Sequence, residues 1–219
     1  MCQSTRDSSF KTFTLRRGYT VAPEFSRSTR AHLTEETPGA GRQAGRLLLA
    51  AWAPYLDHNQ LVVVEKSPPI RTRFLQAAFP DACFVLVVWH PAIVALRTQR
   101  FRPGQGHGLV ELIRHWTRAH DIFASDRPLL RNACVVWYEA FVDDPSAVLA
   151  DVASRVGITA EFDISRVDAS RSDGVFDHWL SIRPTIDAIV LQKLANDVSR
   201  HGYLLDCPRP VALPAGDGD

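Results

Sequence analysis

The amino-acid sequence predicts an α/β fold in which helices cover both faces of a short parallel sheet. Two apolar, largely β-branched runs carry this prediction, Leu61–Val64 and Cys83–Trp89, and a polar or proline-marked corner follows each. Such near-continuous apolar runs are typical of parallel strands that are buried on both faces. Between the runs, apolar residues recur at helical spacing, at Ile70, Phe74, Leu75 and Ala78. The order strand, helix, strand predicts chemistry at the carboxyl ends of the strands.

The chain beyond the second strand continues the same alternation. A helix is predicted from Pro91 to about Phe101, and an amphipathic helix from Leu109 to Phe123. Asn132–Tyr138 is predicted to be a third buried strand, at whose end Glu139 caps a loop. The glycine-rich segment 103–108 between the two helices is either a lid or substrate loop or a plain surface connection.

Two further helices are predicted from their capping signals. Asp144-Pro145 begins the first, which ends at Gly157, and Arg183-Pro184 begins the second, which ends at Gly202. A loop region is predicted between these helices. Nearer the amino terminus, a helix is predicted over Leu47–Leu56.

The glycine-rich segment 38–46 precedes that first helix and invites comparison with a phosphate-binding loop. A phosphate loop follows a strand and ends in Lys-Ser or Lys-Thr, and this segment has neither feature. We interpret it as a loop before a helix. The predicted organisation is a loop or disordered segment over 1–30, one α/β domain over 31–206 and a loose tail over 207–219.

Composition excludes several classes of protein. The chain has 219 residues and a formal net charge of +1, which gives no reason to expect a nucleic-acid partner. We see neither a secretory signal nor a run long enough to span a membrane. The four cysteines lack paired CxxC spacing, which favours free thiols and a cytoplasmic location. A Golgi lumen stays open if an anchor precedes this chain.

Several segments in the same order resemble the sulfotransferase family, enzymes that use 3′-phosphoadenosine 5′-phosphosulfate (PAPS). The specific part is Glu65-Lys66-Ser67-Pro68-Pro69 followed by the segment 71–82. A strand that ends in His90-Pro91 comes next in the family's order. Downstream matches include Val135–Glu139 and Asp144-Pro145. The resemblance runs from about Thr34 to about Gly202. It implies a P-loop NTPase-like three-layer fold and sulfuryl transfer from PAPS, without a metal, to a small-molecule or glycan acceptor.

The family normally begins with a strand and a Gly/Ser/Thr/Lys-rich loop whose backbone N–H groups hold the 5′-phosphosulfate. No such strand and loop stand before Leu61 in this sequence, so we expect an amino-terminally truncated version of the fold.

Sulfuryl transfer needs a cation near the sulfate, a general base for the acceptor and a clamp for the donor's 3′-phosphate. Lys66, at the end of the first strand, is the cation candidate, and Glu65 is the adjacent base candidate. Successive strand residues point to opposite faces, so we expect only one of the two to face the cleft. The alternative for Lys66 is an ordinary ion pair at a strand end.

The second corner departs from the family pattern. The family usually has Arg-His-Pro there, in which the Arg grips the 3′-phosphate, and a Ser eight residues later assists. This chain has Trp89 and Arg97 at those two positions, and Thr98 offers a hydroxyl beside Arg97. Arg97 either reaches back to the phosphate or is a solvated surface residue. Trp89 either stacks on adenine or belongs to the core.

The remaining candidates are weaker. His90 is either a base or, as its family counterpart implies, a structural residue. His115 and His120 stand five apart on a helix, unlike a metal pair. Among Arg166, Arg171 and Arg183, Arg171 is the best candidate for a late 3′-phosphate contact. The rival function is a truncated or degenerate relative that binds without catalysis. A P-loop kinase or NTPase is a third alternative, but a Walker lysine is lacking.

Overall fold

The structure is a computed structural model that describes residues 32–53, 69–101, 108–159, 161–165 and 167–211. The chain divides into two compact units, Met1–Pro80 and Asp81–Asp219. The predicted strand Leu61–Val64, with Glu65 and Lys66 after it, lies outside the described residues.

The first unit contains two packed helices. Helix α1 spans Arg42–Trp52, a 3-10 turn spans Pro69–Arg71, and helix α2 spans Thr72–Ala78. The helices approach so closely that a Cβ atom placed on Gly45 would lie 2.3 Å from the carbonyl oxygen of Ala78. A glycine is therefore required at this contact.

The predicted start of α1 was wrong. The helix begins at Arg42, inside the segment that was predicted to be a loop. It buries Ala44 and Gly45, whereas Leu47 is 46% exposed. Small residues face α2 because the close contact of the two backbones leaves no space for a leucine there.

The second unit is built on a sheet of two described strands. Strand β1 spans Phe84–Val88 and strand β2 spans Ala133–Trp137. They pair in parallel, with Val88 opposite Trp137 at their carboxyl ends. These bounds and this direction confirm the two predicted strands and the α/β class.

Burial of the two faces of β1 is unequal. Val88 is buried, whereas Val85 and Val87 are 40% and 57% exposed. Successive side chains on a strand point to opposite faces. The face that carries Leu86 and Val88 packs against the main core, and the face that carries Val85 and Val87 is more accessible.

This unit contains six described helices. Their bounds are α3 Pro91–Phe101, α4 Leu109–Asp126, α5 Tyr138–Asp143, α6 Pro145–Val156, α7 Asp173–Ile182 and α8 Ala188–Ser199. The main core joins β1, α3, α4, α7, α8 and the following segment, through fully buried residues that include Ile93, Ile113, Trp179, Leu194 and Tyr203. Helices α3 and α4 have the predicted positions.

Helix α6 has the predicted caps. The Asp144 carboxylate accepts the backbone N–H of Ala147 at 3.0 Å, and Pro145 occupies the first turn. Gly157 follows the last helical residue with a φ of 75°, the left-handed conformation that glycine adopts at least cost.

The predictions for the last two helices need correction. A helix, α7, occupies residues that were predicted to be loop, and its Phe176 and Trp179 are buried in the core. The final helix begins at Ala188 rather than at Arg183-Pro184, which form a 3-10 turn instead. Asp187 sets this start because its carboxylate accepts the N–H groups of Ile189 and Val190 at 3.0 and 3.1 Å.

Residues 202–211 form a segment that runs back along the unit after α8. The carbonyl of Leu205 accepts the indole N–H of Trp179 at 2.6 Å. Arg209 pairs with Asp143 through both terminal nitrogens. Val211 donates its N–H to the carbonyl of Gly202 at 2.7 Å. We call residues 202–211 the return segment.

Candidate functional site

The carboxyl ends of β1 and β2 place two aromatic rings side by side. Because Val88 and Trp137 are register partners, the next residues, Trp89 and Tyr138, leave the sheet at the same edge. Their ring centroids are 4.2 Å apart, with an angle of 31° between the ring planes. The Trp89 carbonyl accepts the indole N–H of Trp116 at 3.1 Å, which ties this corner to α4.

A guanidinium group completes this cluster. Arg97 belongs to α3, and its Cζ atom lies 4.9 Å from the centroid of the Trp89 ring. A cation at this distance from an indole is attracted by the negative face of the ring. The structure therefore brings Trp89 and Arg97 together at the strand edge. We call Trp89, Arg97 and Tyr138 the edge cluster.

Two polar groups belong to the edge cluster or follow it in sequence. The Trp89 indole N–H is buried and has no hydrogen-bond partner within the described ranges. The Thr98 hydroxyl donates to the carbonyl of Val94 at 2.7 Å, a bond along its own helix. The oxygen of Thr98 keeps lone pairs, so it can also accept a hydrogen bond.

His90 is a structural residue in this arrangement. Its side chain is fully buried. Its Nε2 atom lies 3.0 Å from the carbonyl of Leu204, and its Nδ1 atom accepts the backbone N–H of Ala92 at 3.3 Å. This network assigns the proton to Nε2 of a neutral ring. Burial lowers the pKa of His90 from 6.5 to about 4, so the ring stays neutral near pH 7.

Glu139 is buried in the first turn of α5 and links distant parts of the unit. Its Oε1 atom accepts the backbone N–H of His90 at 3.1 Å, and its Oε2 atom accepts the hydroxyl of Tyr203 at 2.7 Å. Desolvation raises the pKa of this carboxyl, and the Tyr203 hydrogen bond opposes that shift. The predicted loop cap is in fact a helical residue that joins two strand ends to the return segment.

His120 of α4 serves packing. The ring of His120 stacks on Trp116 with centroids 3.8 Å apart, and its Nδ1 atom lies 2.7 Å from the Trp116 carbonyl. Burial lowers the pKa of His120 to about 4. Within the described ranges, no group of three or more His, Cys, Asp or Glu side chains has the geometry of a metal site.

Comparison with known proteins identifies the family. The model of a group described as "Sulfotransferase family" matches residues 2–163. The chain belongs to the sulfotransferase family. The match begins nearer the amino terminus than the resemblance in the sequence suggested, and it ends earlier, in the segment after α6.

A solved structure is also similar to this sulfotransferase-family chain, whereas no curated protein matches it. The chain is similar to the "Sulfotransferase Domain from the Curacin Biosynthetic Pathway", with 18% identity and a TM-score of 0.46. The similarity covers 72% of this chain and 67% of that domain.

The predicted site residues have different outcomes in this sulfotransferase-family chain. Lys66 and Glu65 lie outside the described residues. The backbone of Arg171 belongs to a 3-10 turn, Ala169–Ser172, rather than to a loop. Arg183 lies 3.8 Å from the Asp206 carboxylate, at the other end of α7.

Tyr138, Glu139 and Tyr203 surround the same edge and were not predicted as site residues. The signal for Tyr138 is present in the sequence, because it follows the third predicted strand as Trp89 follows the second. No sequence signal indicates that Tyr203 contacts Glu139, since 64 positions separate them.

Among the described residues, no helix combines the length and hydropathy that a membrane crossing requires.

Proposed function

We propose that this chain transfers a sulfuryl group from PAPS to a hydroxyl or amine of a small-molecule or glycan acceptor. Membership of the sulfotransferase family supports the reaction class. The observation that carries the donor assignment is the guanidinium of Arg97 over Trp89 at the carboxyl edge of the sheet. In open α/β sheets, ligands bind outside this edge.

Arg97 is the proposed contact for the 3′-phosphate of the donor. A guanidinium forms two parallel hydrogen bonds with a phosphate, which combines charge with a defined orientation. The Trp89 ring beneath Arg97 restricts the directions in which the guanidinium can point. Thr98 is one residue away, and its hydroxyl would donate to the phosphate only by giving up its hydrogen bond to the Val94 carbonyl. Arg171 is a second proposed contact.

Lys66 is the first proposed catalytic residue, and Glu65 is the alternative, because only one of two successive strand residues faces the cleft. The bridging oxygen of the donor gains negative charge as the sulfuryl group departs, and an ammonium held nearby stabilises that charge. If Glu65 faces the cleft instead, its carboxylate accepts the proton that the acceptor hydroxyl or amine loses. His90 is assigned no base role, because its ring is buried and hydrogen bonded at both nitrogens.

Two measurements test this proposal. Calorimetry with adenosine 3′,5′-bisphosphate measures donor-site binding, and chromatography measures release of the bisphosphate from PAPS with panels of phenols, alcohols, amines and glycans. We expect binding and acceptor-dependent release. Absence of both contradicts the proposal. Binding without release, for every acceptor class, indicates the non-catalytic relative.

A further inference from the structure

The edge cluster is connected to the return segment through one buried carboxylate. Glu139 and Tyr203 are 8% and 0% exposed, and the bond between them is 2.7 Å long. The other oxygen of Glu139 accepts the backbone N–H of His90, which directly follows Trp89. A buried carboxylate that has donors on both oxygens has only one low-energy orientation.

The position of this bond matters for the aromatic pair. Trp89 precedes His90 and Tyr138 precedes Glu139, so the bond between residues 90 and 139 joins the two chain segments one residue beyond the paired rings. Glu139 therefore contributes to the lateral spacing of the rings, beside the backbone ladder that pairs Val88 with Trp137. Arg97 in turn lies on the Trp89 ring.

The return segment adds a second tie at the same corner. The Leu204 carbonyl lies 3.0 Å from Nε2 of His90. The Tyr203 ring makes edge contacts with His90 and Trp116, with centroids 5.4 and 5.9 Å apart. Packing thus fixes the orientation of the Tyr203 ring independently of the hydrogen bond from its hydroxyl to Glu139.

We propose that Glu139 and Tyr203 are a positioning pair, through which the return segment sets the orientation of Trp89 and Arg97 toward the donor's 3′-phosphate. The identity of the ligand rests on the proposed function, whereas the orientation of Arg97 does not. Neither residue of the pair is assigned a contact with the donor or the acceptor. Their effect on binding is therefore transmitted through Arg97.

The first test is a double-mutant cycle on binding of adenosine 3′,5′-bisphosphate. Tyr203→Phe keeps the ring and removes only the hydroxyl that donates to Glu139. We expect about fivefold weaker binding in the parent background and a change below about twofold in the Arg97→Ala background. An equal factor in both backgrounds, or no change in the parent, overturns the proposal.

A matched control separates positioning from general loss of stability. Thr117→Val also removes one buried hydroxyl, which donates to the carbonyl of Ile113 at 3.1 Å within α4. We expect Thr117→Val to leave affinity unchanged when both variants are measured below their melting temperatures. If Thr117→Val weakens binding as much as Tyr203→Phe does, the effect is general and the proposal fails.

The second test needs no ligand and keeps the two proposals distinguishable. The Nε atom of Arg97 is buried, and the ring current of Trp89 shifts the resonances of protons above its face. In ¹⁵N-labelled protein, we expect Tyr203→Phe and Glu139→Gln to displace the Arg97 Nε–H resonance, and Thr117→Val to leave it in place. If the parent does not bind the bisphosphate, the proposed function fails and this resonance alone decides the positioning proposal. An unchanged resonance in both variants overturns it.

Discussion

The guanidinium of Arg97 lies over the indole of Trp89, 4.9 Å from the ring centroid, at the carboxyl end of β1. Arg97 stands eight residues beyond Trp89 in the sequence. Its side chain still lies near Trp89 because α3 begins at Pro91, directly after the end of the strand. A helix advances 1.5 Å per residue, so a long side chain on its second turn can reach the first. Helix α3 therefore supplies the positive charge at this corner, and the Trp89 ring at the strand end holds the guanidinium in place.

Arg97→Ala is expected to weaken binding of adenosine 3′,5′-bisphosphate by about ten- to a hundredfold. The loss corresponds to roughly 1.5–3 kcal/mol for a hydrogen-bonded contact between charged groups. Arg97→Lys should recover only part of this affinity, since an ammonium keeps the charge but not the planar fork. Calorimetry at fixed ionic strength measures both effects.

Arg118→Ala is the control for Arg97→Ala, because Arg118 is an exposed arginine on α4. Its removal changes the net charge by the same amount, and we expect affinity to stay within about twofold of the parent. Equal losses in the two variants would mean that long-range charge, rather than the edge cluster, attracts the phosphate.

Acid should destabilise the fold through His90. The pKa of His90 is about 4 in the folded chain, against 6.5 for an unperturbed histidine. Between these pH values the unfolded chain therefore binds more protons than the folded chain. The contribution of His90 is fully present above pH 6.5 and is lost as the pH falls toward 4. The total is about 3 kcal/mol at 1.36 kcal/mol per pKa unit.

Urea unfolding at several pH values between 4 and 7 measures this dependence. His90→Gln, compared where it is still folded, should lose stability at pH 7 and show a shallower decline toward pH 4. An identical pH slope in parent and variant would show that His90 titrates normally in the fold.

Gly45→Ala should destabilise the first unit by about 1–3 kcal/mol, although alanine favours helices. The added methyl carbon would lie 2.3 Å from the backbone carbonyl of Ala78, and a backbone atom cannot move aside as a side-chain tip can. Gly174→Ala is the matched control, since a Cβ there meets no atom within 4 Å. We expect this control to be neutral or stabilising in urea unfolding; a neutral Gly45→Ala would contradict the close contact.

Much of the fold was predictable because the spacing of apolar residues along a segment indicates a strand or a helix even where single residues do not. The runs at Cys83–Trp89 and Asn132–Tyr138 predicted the two described strands, and the repeats after Pro91 and Leu109 predicted α3 and α4. Helix starts were less predictable. Arg183-Pro184 has the form of a first turn, but Asp187 offers a better acceptor for the free N–H groups and sets the start of α8.

The site was predictable only in part. The family pattern drew attention to Trp89 and Arg97 because each replaces a usual residue, and the structure shows them in contact. The link from Glu139 to Tyr203 depends on how α8 and the return segment pack. No local spacing in a sequence encodes such packing, so a contact of this kind is found only in coordinates.

Lys66→Ala is expected to lower turnover by about a hundredfold or more, the scale for loss of one preorganised charge stabiliser. Donor affinity should change less, because the charge that Lys66 meets develops mainly in the transition state. Lys66→Arg should restore turnover only partly, since a planar fork does not replace a compact ammonium at a tight corner. Steady-state rates of bisphosphate release, with binding measured separately, distinguish these effects.

Lys193→Ala controls for the loss of a lysine, because Lys193 is exposed on α8. We expect its turnover to equal that of the parent. If Lys66 is only an exposed ion pair at a strand end, Lys66→Ala costs at most about 1 kcal/mol of stability and leaves turnover intact. Normal turnover in Lys66→Ala would therefore mean that a residue other than Lys66 supplies the positive charge that faces the sulfate. The edge cluster then makes Arg97 the next residue to test, because it lies at the carboxyl edge of the sheet with its guanidinium already oriented by Trp89.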